Sequence, residues 1–296
     1  MAVIDIGTNS TRLLVAEVAG PGGVAPLFTD LKTTRLGQGI EGKMLLPEAV
    51  SRTVEAVKDM QARAKEMSAS LVVAAATSAV RDAANKDWFI AEVYRKTGLQ
   101  VRVLDGKEEA FLSYLGVAEG FGGDPVSAVI VDIGGGSTEF TWRRGGRITC
   151  RSVNAGAVRM TEGGHDGRSI YEIMRVTLEE IGRGMPRELI GVGGTVTTLA
   201  AMDLGLEVYD RSRVHGHVLG RTRILSLLDD LVRAGPEGRK KMPGLQPARA
   251  DVIVAGVRIL LVVMKGLEMN RIRVSEADLM YGLALQALKP VETKNA

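Results

Sequence analysis

The sequence predicts an α/β protein assembled from two related halves. One phrase occurs twice, first as Val3-Ile4-Asp5-Ile6-Gly7-Thr8-Asn9-Ser10-Thr11-Arg12-Leu13-Leu14-Val15 and later as Ile130-Val131-Asp132-Ile133-Gly134-Gly135-Gly136-Ser137-Thr138-Glu139-Phe140-Thr141. In both, an apolar strand runs into Asp-Ile-Gly, a few small hydroxyl or amide residues and a second strand, the pattern of a tight hairpin. Strand-like runs also alternate with helical periodicity, as expected of an α/β chain. A third glycine turn, Gly191-Val192-Gly193-Gly194-Thr195, follows a strand and opens a helix. Glycine lets backbone approach a ligand, and clustered N–H groups form a concavity suited to phosphate oxygens. Two such hairpins suggest two domains clamping one phosphate-rich ligand.

In chain order, residues 47–67 have helical periodicity with Pro47 as a first-turn proline, and 70–76 read as a buried strand. Residues 87–97 predict a helix closed by Gly98, 101–104 a short strand and 108–118 a further helix. Gly120-Phe121-Gly122-Gly123-Asp124-Pro125 marks the expected boundary between domains 1–120 and 121–296. Beyond it come the Asp132 hairpin, a turn at Arg143-Arg144-Gly145-Gly146-Arg147 and a helix over 169–182. The strand at 189–192 feeds the helix through Met202, whose N-terminus attracts anions. Helices are expected over 248–268 and 276–288, with the C-terminal helix near 284–296 packing back on the first domain and the tail after Pro290 frayed. Duplication of a hairpin-first unit indicates a duplicated actin-like (ribonuclease H-like) architecture with an interdomain phosphate-binding cleft.

Length is sufficient for two cores, and 45% hydrophobic with 25% charged residues places the chain among ordinary globular proteins. A net charge of +3 is compatible with an anionic substrate and equally with a solvated surface. Cys150 is the only cysteine, which excludes an intrachain disulfide and disfavours cysteine-based zinc sites. Asp5 follows Met1 too closely for a signal peptide, and the apolar run 252–264 is too short to span a bilayer and contains Arg258. A cytoplasmic protein is expected.

Several motifs together resemble the exopolyphosphatase and guanosine pentaphosphate phosphohydrolase family (Ppx/GppA), over nearly the whole chain. Besides the hairpins they include Arg35-Leu36-Gly37, Thr77-Ser78-Ala79-Val80-Arg81-Asp82-Ala83-Ala84-Asn85 and Glu108-Glu109-Ala110. The third glycine turn, Val214-His215-Gly216 and Arg249-Ala250-Asp251-Val252-Ile253 complete the set. A lone hairpin would indicate only an actin-like phosphate binder; the Arg81 and Glu109 segments make the resemblance specific. Thr8 stands where the family more often has Ser, and longer members carry further helical domains. Correspondence with the two-domain core alone implies weak processivity and a preference for short chains.

Hydrolysis of a phosphoanhydride requires charge shielding, an in-line water and a group that orients or deprotonates it. The resemblance implies Glu109 for that last task and Arg81 for contact with the scissile phosphate, where a forked cation meets developing charge. From the residues alone, Glu109 reads first as an ordinary first-turn acid and Arg81 as a solvated loop cation; the resemblance reverses the reading of Glu109. Asp132 and Glu139, seven residues apart across a hairpin, bring hard oxygens to one mouth and suit Mg²⁺ (or Mn²⁺) held mainly through phosphates and waters, with Asp5 as a weaker ligand. Asn9, Ser10, Arg12, Gly135, Gly136, Ser137, Thr138, Gly194 and Thr195 are the expected phosphate donors. His215 and His217 read as a structural pair, Arg143 to Arg147 and Arg239-Lys240-Lys241 as solvated loops, and Met60, Met67 and Met264 as core filler.

The expected activity is Mg²⁺-dependent removal of terminal phosphate from inorganic polyphosphate. Removal of the 5′ γ-phosphate of guanosine pentaphosphate (pppGpp) is the alternative, set second because no aromatic-rich base pocket is identifiable. An actin-like ATP-dependent kinase and a non-catalytic polyphosphate or alarmone sensor stay further off. The kinase would require an acceptor site, and the sensor would have no use for Glu109. Neither nucleic acid nor membrane is an expected partner; a homodimer is left open.

Overall fold

A computed structural model of the protein describes residues 1–18, 23–184 and 186–287. The first half opens with an antiparallel meander of β1 (Ala2–Ile6), β2 (Thr11–Val18) and β3 (Val24–Lys32). A 3-10 turn at Ile40–Gly42 leads to α1 (Pro47–Glu66), β4 (Val72–Ala76), the short α2 (Ser78–Asp82), α3 (Lys86–Thr97) and β5 (Val101–Val103). Helix α3 ends at Gly98, whose φ of 70° is the left-handed C-cap read from the sequence. Helix α4 (Gly106–Gly120) starts where the Asp105 carboxylate accepts from the N–H groups of Lys107 and Glu108. That cap fixes Glu109 in its first turn.

The second half repeats the plan. β6 (Ala128–Ile133), β7 (Thr138–Arg144) and β8 (Arg147–Val153) form a second meander, turned between β7 and β8 by Gly145 and Gly146, both at positive φ. Next come α5 (Ala157–Glu162), α6 (Gly167–Gly182), β9 (Glu188–Val192), α7 (Gly194–Asp203), α8 (Arg211–Val214) and β10 (Val218–Gly220). The described chain closes with α9 (Arg221–Arg239), α10 (Ile253–Gly266), β11 (Arg271–Val274) and α11 (Leu279–Ala287). The sheets run β3-β2-β1-β4-β5 and β8-β7-β6-β9-β11-β10. In each, a central strand pairs antiparallel with its hairpin partner on one side and parallel with a later strand on the other. This repeated order is the duplicated actin-like fold.

Two helices change sides. α4 follows the first sheet in sequence, yet Tyr114 and Val117 pack on Ala128, Ile130 and Ile190 of the second. α11 follows the second sheet, yet Leu279, Leu283 and Ala284 pack on Val3 and Leu14 of the first. The two helices cross with their backbones almost touching, because a Cβ at Gly116 would collide with the Asp278 carbonyl and one at Gly282 with that of Leu112. The outer faces carry separate cores, with Val57, Met60 and Phe89 in the first and Phe140, Met174, Leu199 and Met264 in the second.

Three sequence expectations need correction, and several elements were not foreseen. The helix expected over 248–268 is a 3-10 turn at Pro247–Arg249 followed by α10. The helix expected from 276 begins at Leu279, since Asp278 accepts from the Met280 N–H as a cap; the tail after Pro290 lies outside the described residues. Arg239 is half-buried and not a free loop cation, because its guanidinium donates to the Leu231 and Ala250 carbonyls where α9 kinks at Gly235 and Pro236. β3, β10, β11, α5, α8 and α9 were not read from the sequence. Across the cleft, the Glu162 carboxylate accepts from the N–H groups of Gly39 (3.1 Å) and Ile40 (3.2 Å), and Arg35 pairs with Asp251 at 2.9 Å.

Candidate active site

The two hairpin turns meet between the sheets. An added Cβ at Gly135 would lie 2.9 Å from Thr8 Cβ, and one at Gly136 would lie 2.5 Å from Ser78 Oγ and 2.9 Å from Thr8 Oγ1. Side chains at these positions would force the halves apart. Glycine is required here for close approach, since neither residue has a positive φ. Beside the meeting point lies a cavity of about 110 Å³. Of the residues expected from the sequence, Asp5, Asn9, Ser10, Arg12, Glu109, Asp132, Gly135, Gly136, Ser137, Gly194 and Thr195 line it.

Three expected residues do not line the cavity. Arg81 sits just behind Glu109, donating from Nη1 to Oε2 at 2.6 Å, and its Nη2 lies 3.4 Å from Ser137 Oγ. Glu139 is buried, and its Oε1 accepts from Ser152 Oγ at 2.7 Å. Thr138 stands apart, its hydroxyl spent on the Ala155 carbonyl behind the hairpin.

The duplicated hairpins differ in charge at one register position. Asp5 lies opposite Arg12, whereas Asp132 lies opposite Glu139. Arg12 donates to Asp5 Oδ2 from Nε (2.9 Å) and Nη2 (2.6 Å) and bonds Asp278 through Nη1, so the first hairpin carries its own counter-charge. The second places two acids side by side. Burial, reinforced by the Asp278 charge, raises Asp132 to about 6; burial, reinforced by Asp132, raises Glu139 to about 7. Burial and then the charge of Glu139 hold Glu109 well above the usual carboxylate range, against the pull of Arg81. Asp5 is also raised by burial despite Arg12.

This donor set fits a divalent cation. Asp5 Oδ1 and Glu139 Oε2 are buried without a hydrogen-bond partner, and a cation would satisfy such orphaned oxygens. Among the described residues no three His, Cys, Asp or Glu side chains converge as a metal cage. A hard ion here would therefore complete its shell with phosphate oxygens and waters.

Sequence reasoning assigned no role to several neighbours. Ser113 Oγ donates to Asp132 Oδ2 at 2.7 Å from α4, one helical turn after Glu109. Ser152 faces Glu139 across the β7–β8 ladder, a pairing with no local signature in the chain. Arg249, within a motif already noted, borders the cavity with its guanidinium against Gly194; burial and then the Arg12 charge lower it to about 10. A second chamber of about 470 Å³ adjoins the first through Arg12, Gly193, Gly194 and Arg249, and adds Tyr209 and Arg211. The histidines have structural bonds: His215 joins the Gly120 carbonyl to the Glu276 N–H, and His217 meets Asp203 at 2.8 Å.

Known proteins are similar to this chain in sequence and fold. The family model described as the Ppx/GppA phosphatase family matches residues 3–290. Exopolyphosphatase 2 of Mycobacterium tuberculosis is 32% identical, with 96% of this chain and 97% of that protein covered. The bifunctional 3-dehydroquinate synthase/phosphatase of Fusobacterium nucleatum is 33% identical over 97% of this chain, which spans 46% of that longer protein. Among solved structures, an exopolyphosphatase from Cytophaga hutchinsonii superposes with a TM-score of 0.88 at 27% identity, covering 97% of this chain and 96% of that one. The Aquifex aeolicus Ppx/GppA family member gives 0.79 at 30% identity, with 97% and 96% covered. Taken with the duplicated fold and the acid-lined cleft between its halves, these matches show that the chain belongs to the Ppx/GppA phosphatase family.

Proposed function

We propose that this phosphatase is an exopolyphosphatase, releasing orthophosphate from the end of inorganic polyphosphate with the help of Mg²⁺ or Mn²⁺. The observation that carries the reading is the Glu109–Arg81 pair, aimed at a cavity walled by three glycine turns and flanked by the uncompensated Asp132 and Glu139. In this reading the turns at Asn9–Ser10, Gly135–Ser137 and Gly194–Thr195 cradle phosphate oxygens. Arg81 exchanges the Glu109 carboxylate for the scissile phosphate. Glu109, so released, orients the attacking water and accepts its proton at the carboxylate. Asp132, with Glu139 behind it and Asp5 across the cleft, would hold the cation. When bound, the cation would neutralise charge on the phosphate oxygens.

A second reading, 5′-phosphohydrolysis of guanosine pentaphosphate, is favoured by the second chamber, where Tyr209, Arg211 and Arg249 offer a ring and two cations beside the phosphate cavity. Phosphate release with Mg²⁺, measured side by side on both substrates with wild type and Glu109→Gln, tests both readings. Turnover of polyphosphate that falls by about 10²-fold or more in the variant is expected, the scale of a lost general base. A preference for the nucleotide would establish the second reading, and an active Glu109→Gln would sink the role given to Glu109.

A further inference from the structure

In the turn of the second hairpin, three consecutive carbonyls are taken up by the start of α5, whose Ala157 and Val158 border the same cavity. Gly134 O accepts from Ala157 N (2.9 Å), and Gly135 O accepts from Val158 N (2.8 Å) and Arg159 N (3.2 Å). The third, Gly136 O, accepts from a side chain, Arg159 Nε, at 2.8 Å. The turn rests directly on the start of α5, where a Cβ at Gly156 would strike the Gly135 carbonyl. A peptide unit is planar and trans, so its C=O and N–H point in opposite directions. Carbonyls held by α5 therefore turn the N–H groups of Gly135, Gly136 and Ser137 away from that helix, and all three residues line the cavity. None of the three has a backbone acceptor among the described residues.

The α5 backbone orients the first two peptides, and Arg159 alone orients the third. The same guanidinium reaches across the cleft, donating from Nη2 to Asp82 Oδ2 at 2.8 Å. Asp82 is next to Arg81 on α2, and Arg159 is mostly buried. Two features of the phosphate site, the Ser137 N–H and the Arg81 helix, thus share one side chain as their common support.

We propose that Arg159 is a positioning residue for phosphoryl transfer: it holds the Gly136–Ser137 peptide with its N–H toward the transferring phosphate and registers that donor against Arg81. The proposal rests on the phosphate-cleft reading above. A donor preset toward developing charge acts mainly in the transition state, so its loss lowers kcat more than it raises KM.

The experiment compares wild type, Arg159→Met, Arg159→Lys and Glu109→Gln on polyphosphate, and follows the Ser137 amide by ¹H–¹⁵N NMR as orthophosphate is added. Arg159→Met is expected to lose at least about tenfold in kcat with KM changed less than about threefold, and to lose most of the phosphate-induced Ser137 shift. Arg159→Lys keeps the charge but cannot serve Gly136 and Asp82 together, so it is expected to recover kcat only in part. It carries the test should Arg159→Met fail to fold. An Arg159 variant with wild-type kcat, or with an unchanged Ser137 shift, overturns the proposal while a silent Glu109→Gln leaves the cleft reading intact. An active Glu109→Gln overturns that reading and this proposal with it.

Discussion

Positions 12 and 139 hold the same register in the two hairpins, yet one is arginine and the other glutamate. The exchange gives the first hairpin a neutralised acid and the second a pair of acids that burial keeps close to protonation. Asp132 near 6 and Glu139 near 7 both lie above ordinary unfolded carboxylates, so folding takes up protons between about pH 4 and pH 7. The stability contributed by these groups is greatest below that window and is lost as pH rises through it. A divalent cation, which substitutes for the protons, should therefore raise Tm more at pH 8 than at pH 6. Glu139→Gln should flatten the metal-free profile, and thermal melts across pH with and without Mg²⁺ check both. A metal-free Tm that climbs through the window in wild type relative to Glu139→Gln would contradict this sign. Glu109, also raised, must lose its proton to act as a base, so kcat/KM is expected to keep increasing with pH beyond the range of an ordinary carboxylate.

At the scale of elements, glycines set the distance between α4 and α11. Neither Gly116 nor Gly282 has a positive φ; each is needed because a backbone carbonyl of the opposing segment occupies the place of a Cβ. Backbone cannot yield as a flexible side chain can, so Gly282→Ala should destabilise by about 1–3 kcal/mol, read from urea midpoints at constant m-value. The sequence made the hairpins, α1, α3, α4 and the Gly193–Gly194 turn legible because each has a local mark: a repeated phrase, a first-turn proline, a glycine cap or a glycine run. α9 hid behind Gly235 and Pro236, where the backbone leaves the helical conformation (Gly235 φ 66°, ψ 176°) and the helical run is interrupted. β10 and β11 have three and four residues, too few for alternation to stand out. At the site, Glu109, Asp132 and the glycines could be named from motifs. Ser152 and Arg159 could not, because their contacts are made by strand pairing and by a packed turn.

At the scale of the molecule, the rim of the cleft is joined by Arg35–Asp251 and by Glu162 on the N–H groups of Gly39 and Ile40. Arg35 and Asp251 are both nearly half exposed, so their ion pair contributes at most about 1 kcal/mol, roughly a fivefold effect on binding. Arg35→Ala is thus expected to raise KM for polyphosphate up to about fivefold and to leave kcat within about twofold, the mark of uniform binding lost at a distance from the chemistry. A fall in kcat at constant KM would place Arg35 in the reaction itself.

The exchange of α4 and α11 between sheets also has a consequence for biosynthesis. Val3 and Leu14 are covered by Leu279, Leu283 and Ala284, so the sheet that holds Val3 and Leu14 waits for a helix made far later in the chain before it can close. Contacts of such long sequence separation form slowly, because the chain entropy they consume is lost before their burial compensates for it. A nascent chain arrested after Val274 should therefore present a sticky, half-covered sheet to chaperones, and release of α11 should be the event that locks the N-terminal half.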